Sequence, residues 1–445
     1  MKYAVKSEKI TMPFPVWQMG FAARTEKSIG VNDDLYVTAL LIGEDRPLLL
    51  LSYDLLYADV VFSEKMRKEL SERFGIDGDS IVFFYTHTHG ALGIKAADGD
   101  ISLGSTVYSD DERKEINSNY IELVREKTID VTEACIGSMF KGRLSCYRGQ
   151  SRFGVSRRHP TPEGGVLWKP YDCDKARDND LEVMQLRDEG GAVRGIIWSY
   201  ACHPTSCGPS NLMITADYPG AVRVMLKRDF PEAEIMFLQG CGADIKPRSS
   251  GRDGRFVSLN TDEMYEGSKP VYKDILTTLG SEPHNTLREN PSIKVDEIRL
   301  HSEYYPRSWW EKTANDEKEP QYRRNSASAA LKKIDSGELK PYMIFRMTCI
   351  RFAPDFFMIT LPCEVLSAIG KRIKSLFPFP IITCAYTNYS LCYIPDRKAL
   401  LQGGYEAETF LNAGTTGPFV PEVDDIIVGH AADMIQNSEI REDRI

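Results

Sequence analysis

The sequence predicts an α/β fold, with layered mixed sheets flanked by helices and a metal site at the C-terminal ends of strands. Three observations carry that expectation. Apolar runs of strand type recur along the chain, among them Leu48–Asp54, Ile81–Tyr85, Gly195–Tyr200, Glu234–Gln239 and Phe356–Leu361. Helix-period patterns follow several of them. Three runs end in groups with lone pairs to offer, in Thr86-His87-Thr88-His89, Ala201-Cys202-His203 and Pro362-Cys363-Glu364. Ligands of open α/β sheets gather at the carboxyl ends of the strands, so these ends are expected to meet in one site.

Leu48–Asp54 reads as a buried strand, and the next segment as a helix capped by Ser63, with Met66, Leu70 and Phe74 on one face and Gly75 as its stop. The strand leading to His87 comes next. Its imidazoles stand at i and i+2, and strand residues two apart point the same way, so both can serve one centre. The chain has only seven histidines. A pair at the mouth of a buried strand is a costly choice for a core and a natural one for a metal. Asp217-Tyr218-Pro219 opens a helix with Val222 and Leu226 that leads into Glu234–Gln239, and Glu364 opens another carrying Val365, Ile369, Ile373 and Phe377. A carboxylate in a first helical turn is also a good dipole partner, which is the plain alternative for Glu364.

The composition agrees with a globular enzyme. A chain of 445 residues, 42% of them hydrophobic, can bury a large core. We expect one domain over 1–445, with two stretches that read as insertions. Residues 95–115 are polar and follow the His-x-His strand, where loops commonly shape a site. Residues 249–340 are highly charged, contain Trp309 and Trp310, and suggest a lid or peripheral subdomain. The N-terminus has no apolar signal region and no run reaches bilayer length, so a cytoplasmic protein with no transmembrane segment is expected. The net charge of −9, without a basic patch, argues against nucleic acid as a partner. Ten cysteines without a C-x-x-C pair read as reduced thiols. Cys202 and Cys207 flank His203, but a Cys-His-Cys metal set leaves His87 and Glu364 without a role.

The ordered strings Tyr85-Thr86-His87-Thr88-His89-Gly90, Ala201-Cys202-His203-Pro204-Thr205, Leu361-Pro362-Cys363-Glu364, Cys392-Tyr393-Ile394-Pro395 and Gly404-Tyr405-Glu406 resemble the signature of the neutral/alkaline, non-lysosomal ceramidase family. The likeness runs from about residue 20 to about residue 429. Members are zinc-dependent amidases that cleave the N-acyl bond of ceramide in sphingolipid metabolism. The resemblance implies Zn2+ as cofactor, with His87, His203, Glu364 and Tyr393 as its ligands. Such a metal lowers the pKa of its water to about 7. His89, free of the metal in this reading, is expected to steer the substrate carbonyl or shuttle a proton, or to serve only as an orienting hydrogen-bond partner. Arg157 resembles the family's substrate-facing arginine and suits a polar headgroup or an oxyanion. Its bland alternative is a surface arginine. Tyr405 matches a tyrosine that lines the family's cleft.

One position departs from the family. In Gly240-Cys241-Gly242-Ala243-Asp244-Ile245-Lys246-Pro247, the family's serine is replaced by Lys246. An ammonium suits an anionic group of the substrate, unless Lys246 is simply a solvated turn residue. No C-terminal immunoglobulin-like domain of the kind common in ceramidases is expected within these 445 residues. The expectation is therefore a zinc-dependent amidohydrolase of a small-molecule N-acyl substrate, with Lys246 adding a hydrolase of small polar or anionic amides or esters as the alternative. A metal-dependent binding protein without turnover is the reading from another class.

Overall fold

In the computed structural model of the protein, which describes all residues but 13–14, 22, 97–110, 439–445 and the side chain of Tyr322, the apolar runs are strands covered on both faces. Alternate residues show how. Leu49 and Leu51 of Leu48–Tyr53, with Ile81, Phe83 and Tyr85 of Ile81–Tyr85, face the largest apolar cluster, whereas Leu48, Leu50, Val82 and Phe84 face a second. In Val193–Tyr200 and Glu234–Gln239, Ile197, Met236 and Leu238 join that second cluster, and Ile196, Trp198, Ile235 and Phe237 a third. Strands buried on both sides have no polar face to present, which is why these runs are continuously apolar.

A nine-stranded sheet runs in the spatial order Glu234–Gln239, Val193–Tyr200, Asp180–Asp188, Phe140–Gln150, Lys2–Lys9, Tyr36–Ile42, Leu48–Tyr53 and Ile81–Tyr85, with Asn285–Thr286 paired to Phe140–Gln150. Its two ends are parallel pairs. A second sheet holds Ser292–His301, Tyr342–Ala353, Phe356–Thr360 and Ile381–Cys384, the last two parallel. The second apolar cluster contains residues of both sheets, Leu50 and Met236 beside Met358 and Ile382. Helices Val60–Phe74, Asp111–Gly137, Ser367–Ser375 and Val423–Gln436 contribute to the largest cluster, and Asp217–Asp229 and Thr261–Leu279 to the third. The architecture is mixed α/β, with several sheets flanked by helices.

Three strand ends converge because the second sheet stitches the edges of the first. Isolated bridges join Phe84 to Thr387 and Gly240 to Cys384. Tyr85 N donates to Tyr386 O at 3.1 Å, and Ala385 N to Gln239 O at 3.0 Å. The carboxyl ends of Ile81–Tyr85, Glu234–Gln239 and Ile381–Cys384 are thereby held at one place.

Three local expectations are corrected. The helix after Leu48–Tyr53 starts at Val60, because Asp59 has the extended backbone and the acceptor that a cap needs and takes the amide of Phe62 at 2.8 Å. Ser63 lies inside the helix, buried, with its hydroxyl bonded to Asn388 O and 3.0 Å from Tyr85 Oη. The strand before the histidines ends at Tyr85, so His87 and His89 lie beyond it. Glu364 does not open a helix. It sits with Val365 in a two-residue strand parallel to Tyr393–Ile394, and the helix begins at Ser367, whose amide and hydroxyl are taken by Asp244 at 2.8 and 3.0 Å. The dipole explanation of Glu364 falls with that boundary.

The stretch 249–340 divides between layers. Thr261–Leu279, opened by a capping box of Asn260 and Glu263, packs Met264, Val271 and Ile275 into the third cluster. Ser292–His301 pairs along its whole length with Tyr342–Ala353. Arg307–Asn315 and Gln321–Asp335 share a small cluster of their own, Trp310, Ala327 and Ala330 with Phe410 and Leu411. Of the expected loop over 95–115, residues 97–110 lie outside the described residues. All ten cysteines are free thiols, and no helix among the described residues is long and apolar enough to cross a membrane.

Candidate metal centre

The backbone at the convergence is left-handed where side chains have to turn. Among the described residues six non-glycines have positive φ, and five belong to this centre or its supports: His87 (61°), Asp217 (57°), Cys363 (66°), Tyr386 (56°) and Asn388 (61°). Such conformations cost free energy for residues with a Cβ and persist where the surroundings over-determine them. His87 and His89 thus meet through a kink at His87, not through the alternation of a strand. Their ring centroids lie 5.1 Å apart.

The donor geometry has the dimensions of a metal site. Glu364 Oε2 stands 3.2 Å from His87 Nε2 and 3.2 Å from His203 Nε2, and Tyr393 Oη stands 3.4 Å from His203 Nε2. With bonds of about 2.0–2.1 Å to zinc, the edges of a ligand tetrahedron measure about 3.3 Å. The tautomers point the same way. His87 Nδ1 donates to Leu56 O at 2.7 Å and His203 Nδ1 to Gly242 O at 3.1 Å, which in the neutral rings leaves both Nε2 atoms as lone pairs facing the carboxylate. Glu364 Oε2 accepts no hydrogen bond. Three electron-rich atoms turned towards one another repel unless a cation lies between them, so the residues present fit a divalent metal.

The electrostatics agree. Burial lowers the His203 pKa to about 4, with His87 and Arg157 adding to the shift, so the ring is neutral. Burial works against ionisation of Glu364, and its carboxyl is held well below the ordinary range where His87 and His203 carry positive charge, the place a bound cation takes when the rings are neutral. Neutral imidazoles and an ionised carboxylate are the forms a metal binds.

His89 completes a three-histidine cluster with its donor atoms within 4.8 Å of those of His87 and His203. Neither of its ring nitrogens has a hydrogen-bond partner. Burial, then His87 and His203, push its pKa well below 6.5, so it is neutral. Its position depends on Gly20, with φ +98°, where a Cβ would lie 2.5 Å from His89 Nδ1.

The remaining sequence candidates lie around this cluster. Arg157, on Gly154–Pro160, is buried rather than superficial. It donates from Nε to Glu406 Oε1 at 2.8 Å and lies over the rings of Trp168 (4.2 Å) and Tyr393 (5.2 Å). Lys246, on Ile245–Pro247, is also buried, which removes the solvated-turn alternative. Its Nζ donates to Thr205 Oγ1 at 2.8 Å. Tyr405 is 43% exposed and meets Tyr393 edge to face at 5.3 Å and Trp168 at 5.8 Å.

Several participants escaped the sequence reading. The ring of Tyr386 lies 4.4 Å from that of His87, with its Oη 3.4 Å from His203 Nδ1. It directly follows an apolar run, so the strand-end rule applied to Ile381–Tyr386 would have found it. Glu406 ties Arg157 and Arg158 together. Asp217 accepts the amides of Ser206 and Cys207 at 3.1 and 3.0 Å and so braces the loop after His203. Arg24 donates to His89 O at 2.8 Å. Glu406 lies in the Gly404-Tyr405-Glu406 string and Asp217 at a helix start, but no local pattern marks the partners of either, and none marks Arg24. A cavity of about 770 Å³ opens elsewhere, where Arg152, Arg177 and Arg248 face Asp172, Asp174 and Asp274 and their charges balance.

No family model matches this chain, and no curated protein matches it either. Solved structures do match. Neutral ceramidase from Pseudomonas aeruginosa aligns with a TM-score of 0.74 at 15% identity, over 99% of this chain and 74% of that one. A ceramidase complexed with C2 aligns with a TM-score of 0.73 at 14% identity, over 99% and 75%. At such identities the likeness concerns the fold, and the fold of this chain is that of the neutral ceramidases.

Proposed function

We propose that the protein is a zinc-dependent hydrolase that cleaves an N-acyl bond. The observation that carries this reading is the chain of 3.2–3.4 Å separations from His87 Nε2 to Glu364 Oε2, from Glu364 Oε2 to His203 Nε2 and from His203 Nε2 to Tyr393 Oη, with Nδ1 of each ring donating to a backbone carbonyl. The ceramidase fold supports the N-acyl bond as the target. A zinc ion held by these four residues supplies Lewis-acid activation of water and of the scissile carbonyl. The chain's own residues position and protonate. Leu56 O and Gly242 O fix the two imidazoles. His89, neutral and without a hydrogen-bond partner at either nitrogen, takes a proton from water and returns it to the leaving amine. Arg157, held protonated because Tyr393 and Glu406 outweigh the cost of its burial, sets a positive charge beside the bound substrate.

The test is hydrolysis of N-acyl amides of graded acyl length, followed by release of the free acid. Chelation should abolish release and added zinc should restore it, while His203→Ala should stay inactive. Undiminished turnover by protein shown by elemental analysis to be metal-free would defeat the proposal.

A further inference from the structure

Two buried cations stand beside the candidate metal centre with too little negative charge around them. Gly154–Pro160 pairs with Ile245–Pro247 so that Lys246 lies opposite Val155, and Arg157 N donates to Asp244 O at 2.9 Å. Val155 and Arg157 are two residues apart, so Lys246 and Arg157 lie on one face of this small sheet. They are only 8% and 3% exposed. Lys246 has no carboxylate partner among the described residues. Its Nζ meets the hydroxyl and the carbonyl of Thr205 at 2.8 and 3.3 Å, and lies 5.4 Å from the centre of the Phe256 ring. Asp217 is near enough to favour its charge, but the oxygens of Asp217 are occupied by the amides of Ser206, Cys207 and Tyr218. Arg157 shares one carboxylate, Glu406, with Arg158; the Tyr393 hydroxyl also favours its charge, but its buried Nη2 makes no well-formed hydrogen bond and meets no carboxylate of its own.

A desolvated ammonium without a counter-ion costs stability, and such a cost is usually kept only at a functional site. A buried guanidinium nitrogen without an anion to bond points to the same place. We infer that Arg157 Nη2 and Lys246 Nζ form an anion subsite, and that the substrate carries a carboxylate close to its scissile amide, as an N-acyl amino acid does. The inference rests on the hydrolase reading above. In the reaction the amide C–N bond breaks, the water oxygen bonds to the carbonyl carbon, and a water proton goes to the leaving amine, giving a carboxylic acid and an amino acid. Burial and the neighbouring Arg157 lower the Lys246 pKa to about 7, a cost that a bound carboxylate reverses.

Zinc-loaded protein is assayed on N-butanoylglycine, N-butanoylglycinamide and N-butanoylaminomethylphosphonate, with butanoate release as the readout. The carboxylate compound should exceed the neutral amide in kcat/KM on the order of 10- to 100-fold, the range of a charged hydrogen bond. Lys246→Met should remove that preference through KM, and Lys246→Arg should keep most of it. Binding is read separately by calorimetry on zinc-free protein with N-acetylglycine and N-acetylglycinamide. The acid should bind more tightly to the wild type and lose that advantage in Lys246→Met. Equal turnover or equal binding of acid and amide overturns the subsite and leaves the hydrolase reading standing, and preference for the phosphonate overturns the carboxylate class. Acid-selective binding that needs Lys246, without hydrolysis of any compound, supports the subsite and sinks the hydrolase reading.

Discussion

Glu364 Oε2 stands 3.2 Å from His203 Nε2, and neither atom has a proton to give the other. The His203 proton is spent on Gly242 O, and the carboxylate is ionised. A metal resolves that repulsion, so purified protein should hold about one zinc per chain. His203→Ala and Glu364→Ala should lose it. Zinc at one hundred times its Kd should stabilise the wild type by about 2.7 kcal/mol and the variants by little, read as a shift in Tm. Full zinc content in both variants would remove the central claim.

What made this pair legible was position. Apolar runs that stop at His87, His203 and Glu364 mark strand ends, and strand ends meet in α/β sheets whatever the loops between them do. The fold class was readable for the same reason, since Leu48–Tyr53 and Ile81–Tyr85 show two-sided burial in their composition alone. Local direction was not readable. The left-handed turns at His87 and Cys363 follow from tertiary contacts, and so does the cap that Asp244 places on Ser367 from 123 residues away. Burial of charge was equally hidden. Lys246 sits in a glycine-rich segment that reads as a turn, and only its pairing with the Gly154–Pro160 strand takes it inside.

His89 belongs to the three-histidine cluster yet has no bonded partner, so its role separates cleanly by experiment. His89→Ala should keep its zinc and lose about a hundredfold in kcat, the usual scale of general acid-base assistance. Loss of zinc, measured by elemental analysis on the same sample, would make His89 a ligand instead.

The carbonyl that orients His203 belongs to Gly242, where a Cβ would come within 2.4 Å of Cys202 N. No side-chain rotation relieves a clash with backbone, so Gly242→Ala should push the two segments apart and turn the imidazole. Zinc affinity should fall by about 10- to 100-fold, as for other losses of a ligand's orienting partner. Competition with a chelator of known affinity measures it. An unchanged affinity would show that the Gly242 carbonyl does not set the ring.

The stability of Lys246→Met gives the pH test. Burial, then Arg157, lower the Lys246 pKa from 10.5 to about 7 in the folded chain. Between those values the unfolded chain binds a proton that the folded chain lacks, so this residue makes stability rise with pH across the window. Below about pH 7 both states are protonated and the cost of burying the ammonium is complete; above the unfolded value of about 10.4 it is gone. Methionine fills similar space without a charge, so Lys246→Met should have the higher Tm at pH 6, with the gain shrinking by pH 9. Thermal unfolding of both proteins at the two pH values, at equal zinc, reads the difference of differences. A gain of the same size at both would mean that Lys246 does not change its protonation between them, and a lower Tm at both would mean that its bonds to Thr205 outweigh the desolvation of its charge.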